Sequence, residues 1–179
     1  MKLIRSWPNH PYAGNARADD KITRLYNDDY AYIGLCDLGD SVLHLDWDMA
    51  VSLEDLKHFA RHARRHPEKC LVGPYKLYPT GLNRGEERGH QGDLYAAYRY
   101  APDMSCRWNV TPDDKACDQF GFGMVYLPHW ALLGYKEAYP DSRMDDIEFS
   151  SWYQLQTGES ELCWTVHPVH MNYGPPKEL

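Results

Sequence analysis

The chain has 179 residues, 43% of them hydrophobic and 25% charged, with a net charge of −7 and a pI of about 5.7. Its length suits one domain with a real core, and the acidic balance argues against a partner held mainly through its phosphate backbone. No apolar leader or long apolar run points to secretion or a membrane span. The five scattered cysteines contain no Cys-x-x-Cys pair, so neither a zinc knuckle nor a disulfide framework is indicated, and reduced thiols in a cytoplasmic protein are expected.

Met1 to Ile4 reads as a short first strand. Pro8, Pro11 and Gly14 break residues 7–18 into a loop. Asp19 to Tyr26 has the spacing of a short helix, and Tyr30 to Leu35 alternates weakly as a strand. After a Gly39-Asp40 turn comes the stretch around which the rest is organised. Val42, Leu43 and Leu45 form a buried-strand signature, followed at once by Asp46-Trp47-Asp48. Two carboxylates at the mouth of an apolar strand repel unless a cation lies between them, and a hard divalent ion with oxygen ligands meets that need. In open α/β sheets, ligands gather at the carboxyl ends of strands. Taken alone, Asp-x-Asp is also an ordinary solvated turn.

Ser52-Leu53-Glu54-Asp55 has the form of a capping box, and Leu53, Leu56, Phe59, Ala60 and Ala63 follow at helical spacing. Arg61, Arg64 and Arg65 crowd the last turn, where cations suit the dipole, and Pro67 closes the helix. Cys70 to Gly73 is a strand, which completes a βαβ unit with a parallel sheet. Thr80 to Gly92, with four glycines, reads as a surface loop, Leu94 to Tyr100 as a strand and Pro102 to Lys115 as a loop. Gly121 to Leu127 is a strand opened by glycines. Pro128 sits at the first turn of a helix that continues from Trp130 to Ala138. Asp145 to Gln156 is another helix, with Gly158 at its C′ position. Leu162 to Val166 is the last strand, before His167, His170 and a Pro-rich tail. The histidines other than His170 carry no assigned role. No internal repeat appears.

Three pieces stand in order: Asp46-Trp47-Asp48 with the capped helix after it, Gly121-Phe122-Gly123-Met124-Val125-Tyr126-Leu127-Pro128, and Asp145-Asp146-Ile147-Glu148-Phe149 with His170 beyond. Together they resemble GT-A-type glycosyltransferases, particularly the family 2-like group, over residues 28–174. The resemblance implies a single α/β domain over residues 1–179, GT-A-like, with a mixed sheet flanked by helices. Residues 1–39 would form a shortened donor-side region and residues 40–174 the metal and acceptor side. It also implies Asp46, Asp48 and His170 as ligands of Mn2+ or Mg2+, and Asp145 and Asp146 as the catalytic pair, Asp146 preferred as base. Arg17, in a reduced donor loop at Pro11 to Arg17, would lie near the donor diphosphate, which Asp46 and Asp48 also serve through the metal. Trp47, Gly123, Trp130 and Trp152 are candidate substrate-lining residues, although core packing suits both Trp130 and Trp152, and a structural histidine suits His170 equally well.

The expected activity is transfer from a nucleotide-sugar donor to an acceptor hydroxyl, with inversion at the anomeric carbon. A metal ion would stabilise the leaving diphosphate as a Lewis acid, and a carboxylate ionised at a helix N-terminus would take the acceptor proton. The acceptor class is open: glycan, small molecule, protein or modified nucleic-acid base. The alternatives are a non-catalytic sugar- or nucleotide-binding relative of the same fold, and a metal-dependent phosphoester hydrolase.

Overall fold

A computed structural model describes residues 1–5, 38–46, 49–76, 94–101, 103, 105–141, 144 and 146–170. The expected helix at 19–26, the strand at 30–35 and the loops at 7–18 and 80–92 lie outside these residues, as do Arg17, Trp47, Asp48 and Asp145. In chain order the elements are β1 (Lys2–Arg5), β2 (Val42–Leu45), β3 (Met49–Ala50), α1 (Leu53–Arg65), β4 (Leu71–Val72), β5 (Ala97–Tyr100), β6 (Arg107–Asn109), β7 (Ala116–Cys117), β8 (Gln119–Phe120), β9 (Met124–Leu127), α2 (His129–Ala138), α3 (Asp146–Thr157), β10 (Ser160–Leu162) and β11 (Val169–His170).

One six-stranded sheet carries the architecture, in the order β1-β2-β9-β4-β10-β7. β1 runs parallel to β2 and β10 parallel to β4, while β9 lies antiparallel between β2 and β4. The strand–helix–strand unit of β2, α1 and β4 therefore has its two strands parallel but not adjacent: β9 has entered between them. Among the described residues, a three-stranded sheet, β6-β5-β8, and a two-stranded ribbon, β11-β3, make up the other strands. The chain is thus an α/β domain with a mixed sheet and flanking helices.

The central strands read as unbroken apolar runs because both of their faces are covered. Alternate side chains point to opposite faces. Leu43, Leu45, Leu71, Met124 and Tyr126 pack with Phe59 and Ala63 of α1. Val42, Val72, Val125 and Leu127 pack with Leu132, Tyr135, Phe149 and Tyr153 of α2 and α3. Ser52 caps α1, its hydroxyl accepting the Asp55 N–H at 3.0 Å. Phe59 is fully buried, as its spacing requires, whereas Leu56 is only half-buried because it sits at the edge of the apolar stripe. Past the end of α3, Gly158 takes a left-handed conformation (φ +92°) and donates its N–H to Gln154 O at 2.7 Å.

Several boundaries differ from expectation. The stretch expected as a loop from Pro102 to Lys115 contains β6, whose apolar content is too low to mark a strand; pairing with β5 makes it one. The strand expected from Leu162 to Val166 is β10, which ends at Leu162 rather than beginning there, since Ser160 and Glu161 pair with β7, and the last strand among the described residues is β11. β9 starts at Met124, and Gly121 to Gly123 form a turn instead of its first residues. α2 begins at His129, with Pro128 just outside it in an extended conformation.

Candidate functional site

Asp46 stands one residue beyond β2. Its backbone N–H is fixed by Gly123 O at 2.9 Å, and its own carbonyl accepts from Met49 N–H at 3.1 Å. The strand end is thereby tied both to the glycine turn before β9 and to β3. The Asp46 side chain is 24% exposed, so its carboxylate faces solvent from a rigid support. Two residues back, His44 is wholly buried. Its Nδ1 lies 2.8 Å from Phe122 O, and its Nε2 is 3.8 Å from Asp46 Oδ1. Burial pushes the His44 imidazole below its ordinary pKa, and the Asp46 charge and the Phe122 carbonyl oppose that shift.

The turn at Gly121 to Gly123 is shaped by Tyr75, which follows β4 and is 9% exposed. A Cβ on Gly123 would stand 2.3 Å from Tyr75 Cε1, and a Cβ on Gly121 would stand 2.7 Å from the Tyr75 hydroxyl oxygen and 3.4 Å from Asp146 Oδ2. Both glycines are required by close approach of the ring. The far side of Tyr75 meets the His170 ring, with centroids 5.7 Å apart. His170 reaches this position because β11 pairs with β3, opposite Met49. Asp146 opens α3; its Oδ1 accepts the Ile147 N–H at 2.8 Å while Oδ2 lies toward Gly121.

Gly123 and His170 therefore border one tyrosine that the sequence reading did not single out, while Asp146 adjoins the same turn at Gly121 and Asp46 is tied to it through its backbone. His44 was missed as well, hidden inside what reads as a plain core strand. The partly exposed Asp46 carboxylate offers the oxygen ligands that a hard divalent ion prefers.

Two candidates go elsewhere. Trp130 follows β9, whose last residue, Leu127, pairs with Val42 at the start of β2, so Trp130 sits at the opposite end of the sheet from Asp46. There its indole N–H donates to Glu68 O at 2.9 Å. Trp152 is core: it is 8% exposed, packs edge-on against Tyr135 and lies close to Gly134, where an added Cβ would stand 3.0 Å from its ring. Both make the packing contacts that the sequence also allowed for them, Trp130 with Tyr153 and Trp152 with Tyr135.

A second group of polar side chains lies between α1 and the end of β10. His62 Nε2 is 2.7 Å from Glu161 Oε1, and His62 Nδ1 is 3.6 Å from Cys163 Sγ. Thr165 Oγ1 is 2.8 Å from His58 Nε2 and 3.4 Å from the same sulfur. These residues line a groove of about 1100 Å³.

No protein-family model matches the chain, and no curated protein matches it. Among solved structures it is similar to the crystal structure of A197 from STIV, at 16% identity and a TM-score of 0.47, covering 78% of this chain and 61% of that one. The chain thus spans about three fifths of the length of A197. No helix in the described residues is long and apolar enough to cross a membrane.

Proposed function

We propose that the chain is a metal-dependent glycosyltransferase of the GT-A type, moving a sugar from a nucleotide-sugar to an acceptor hydroxyl. The observation that supports this reading is that separate segments of the chain adjoin the Gly121–Gly123 turn: Asp46 through its backbone N–H, Asp146 through Oδ2, and Tyr75 with the His170 ring beside it. Acidic residues at a strand end and at a helix start, both adjoining one turn, suit transfer: one to serve the donor side and one the acceptor side.

When bound at Asp46, Asp48 and His170, Mn2+ or Mg2+ would supply Lewis-acid stabilisation of the departing diphosphate. Asp146, through Oδ2, accepts the proton of the attacking hydroxyl as general base. Direct attack assisted by a single base inverts the anomeric centre. Tyr75 positions the Gly121–Gly123 turn and holds the His170 ring; the buried His44 fixes the exit of β2 through Phe122 O.

The test is a thermal-shift screen of nucleoside diphosphates and nucleotide-sugars, with and without Mn2+. A nucleotide should raise the melting temperature only when metal is present, and Asp46→Asn should abolish the response while leaving the apo melting temperature near that of the parent chain. Metal-independent binding, or an unchanged response in Asp46→Asn, would exclude this reading.

A further inference from the structure

The α1–β10 cluster is remote in chemistry from an Asp-based site: it offers imidazole and thiol, not paired carboxylates. One ligand atom from each of His58, His62 and Cys163 lies within 4.8 Å of the others. We propose that these three residues bind a borderline-soft divalent ion of the zinc class, with Glu161 as the carboxylate that orients His62. This site is independent of the glycosyltransferase reading and would stand if that reading failed.

The geometry selects these roles. Zinc bonds of about 2.3 Å to sulfur and 2.0–2.1 Å to nitrogen put a tetrahedral S···N edge at about 3.5 Å. His62 Nδ1 and Cys163 Sγ are 3.6 Å apart. His62, His66 and Glu161 form a second group within the same reach. There, however, His62 Nε2 and Glu161 Oε1 are 2.7 Å apart. That is shorter than the edge of about 3.3 Å that two ligands of one tetrahedral zinc keep, and it is the length of a charge-assisted hydrogen bond. A carboxylate only accepts. Nε2 therefore carries the hydrogen, and Nδ1 presents its lone pair toward the sulfur. Histidine ligands of metals typically donate their other ring N–H to such a partner, which fixes the tautomer and raises ligand basicity.

The supports are rigid. His58 and His62 are one helical turn apart and share a face of α1, beside the buried Phe59 and Ala63 that anchor the helix to the sheet. Cys163 is held by its backbone N–H to Val72 O at 2.8 Å, and Glu161 by its N–H to Cys70 O at 3.0 Å. Thr165 Oγ1 bridges His58 and the sulfur. Three protein ligands leave a fourth position, which opens on the groove of about 1100 Å³ and is available to water or a small ligand.

The experiment uses the full chain, freed of metal by a chelator and titrated with Zn2+ against a chromophoric competitor, then with Co2+ as a spectroscopic substitute. One ion per chain should bind at this site against the competitor, and Co2+ should give tetrahedral visible bands with a thiolate charge-transfer band. Cys163→Ser should remove that band, and His58→Gln, a change on the helix surface, should weaken Zn2+ binding about a hundredfold or more. Glu161→Gln should keep the sulfur band and lower affinity about 10–100-fold, the usual effect of losing an orienting partner. His66→Gln and Asp46→Asn should leave affinity unchanged. Circular dichroism of each variant in chelator keeps a loss of binding separate from a loss of fold. Absence of Zn2+ binding at micromolar concentration, a Co2+ spectrum without a sulfur band, or a loss in His66→Gln equal to that in His58→Gln would overturn the proposal.

Discussion

Gly123→Ala tests whether Tyr75 is the post around which the site is built. The added methyl would lie 2.3 Å from Cε1, 2.7 Å from Cζ and 2.9 Å from Cδ1 of that ring. Carbon atoms rest at about 3.5–4.0 Å, so the ring or the turn must retreat by more than an ångström. The ring has little room to do so, with its hydroxyl against Gly121 and its face against His170. Gly123 does not have a positive φ, so the penalty is one of space and not of backbone conformation. Overpacking of this kind costs about 1–3 kcal/mol, and for a chain of this size each kcal/mol lowers the melting temperature by about 2–4 °C. Urea titrations of the single variants and of the Gly123→Ala/Tyr75→Ala pair form a double-mutant cycle. In the Tyr75→Ala background the clash partner is gone, so the methyl should cost almost nothing and the coupling should equal the whole penalty. An equal loss in both backgrounds would refute the account. The nucleotide-dependent thermal shift should fall in Gly123→Ala alone, because the turn that holds Asp46 through Gly123 O would be displaced.

Asp146→Asn should lower turnover by about 10²–10⁴-fold with donor affinity nearly intact, the mark of a group that acts in the transition state; near-normal turnover under saturating donor would remove it from the role. Phe59→Ala should destabilise by about 3–5 kcal/mol, and Leu56→Ala by clearly less, since Phe59 is fully buried and Leu56 half-buried; equal losses in denaturant titration would contradict the packing of α1. Burial pushes the Cys70 and Cys117 thiols above their ordinary value of 9.0 and the Tyr153 phenol above 10.0. The unfolded chain then loses these protons first, so stability should hold below pH 9 and decline as pH rises beyond it. Tyr153→Phe should lessen that alkaline decline and cost about 1–3 kcal/mol at neutral pH, because the buried Cys70 N–H loses its acceptor at 2.9 Å.

Local chemistry was legible where one segment decides its own structure. Ser52 capping α1, the burial of Phe59 and Ala63, and Gly158 closing α3 follow from side-chain spacing and backbone geometry alone. Strand order was not legible. The apolar runs at Val42 and Leu71 require cover on both faces, but nothing in them says that Met124–Leu127 lies between them in the opposite direction. The short strands β6, β7 and β8 are made by pairing, and their two- or three-residue lengths leave no period to read.

The same division explains which functional side chains could be found. Asp46 declared itself because an acid ending an apolar strand is locally costly, and Asp146 because an acid opening a helix is locally favoured. Tyr75 had no such contrast with its neighbours; its importance lies in Gly121 and Gly123, almost fifty residues away, whose missing side chains make the space its ring fills. The histidines of α1 stand between these cases. His58 and His62 stand four residues apart on a helix whose start and stop were already evident, so a shared face was readable. What was not readable was the partner. Cys163 and Glu161 arrive about a hundred residues later, at the end of a strand whose register is set by β4 and β7. A lone cysteine outside any Cys-x-x-Cys pair reads as an ordinary buried thiol until the sheet brings it against a helix that carries imidazoles. Ligands that come from one segment leave a spacing in the sequence, and ligands assembled by β-pairing leave none.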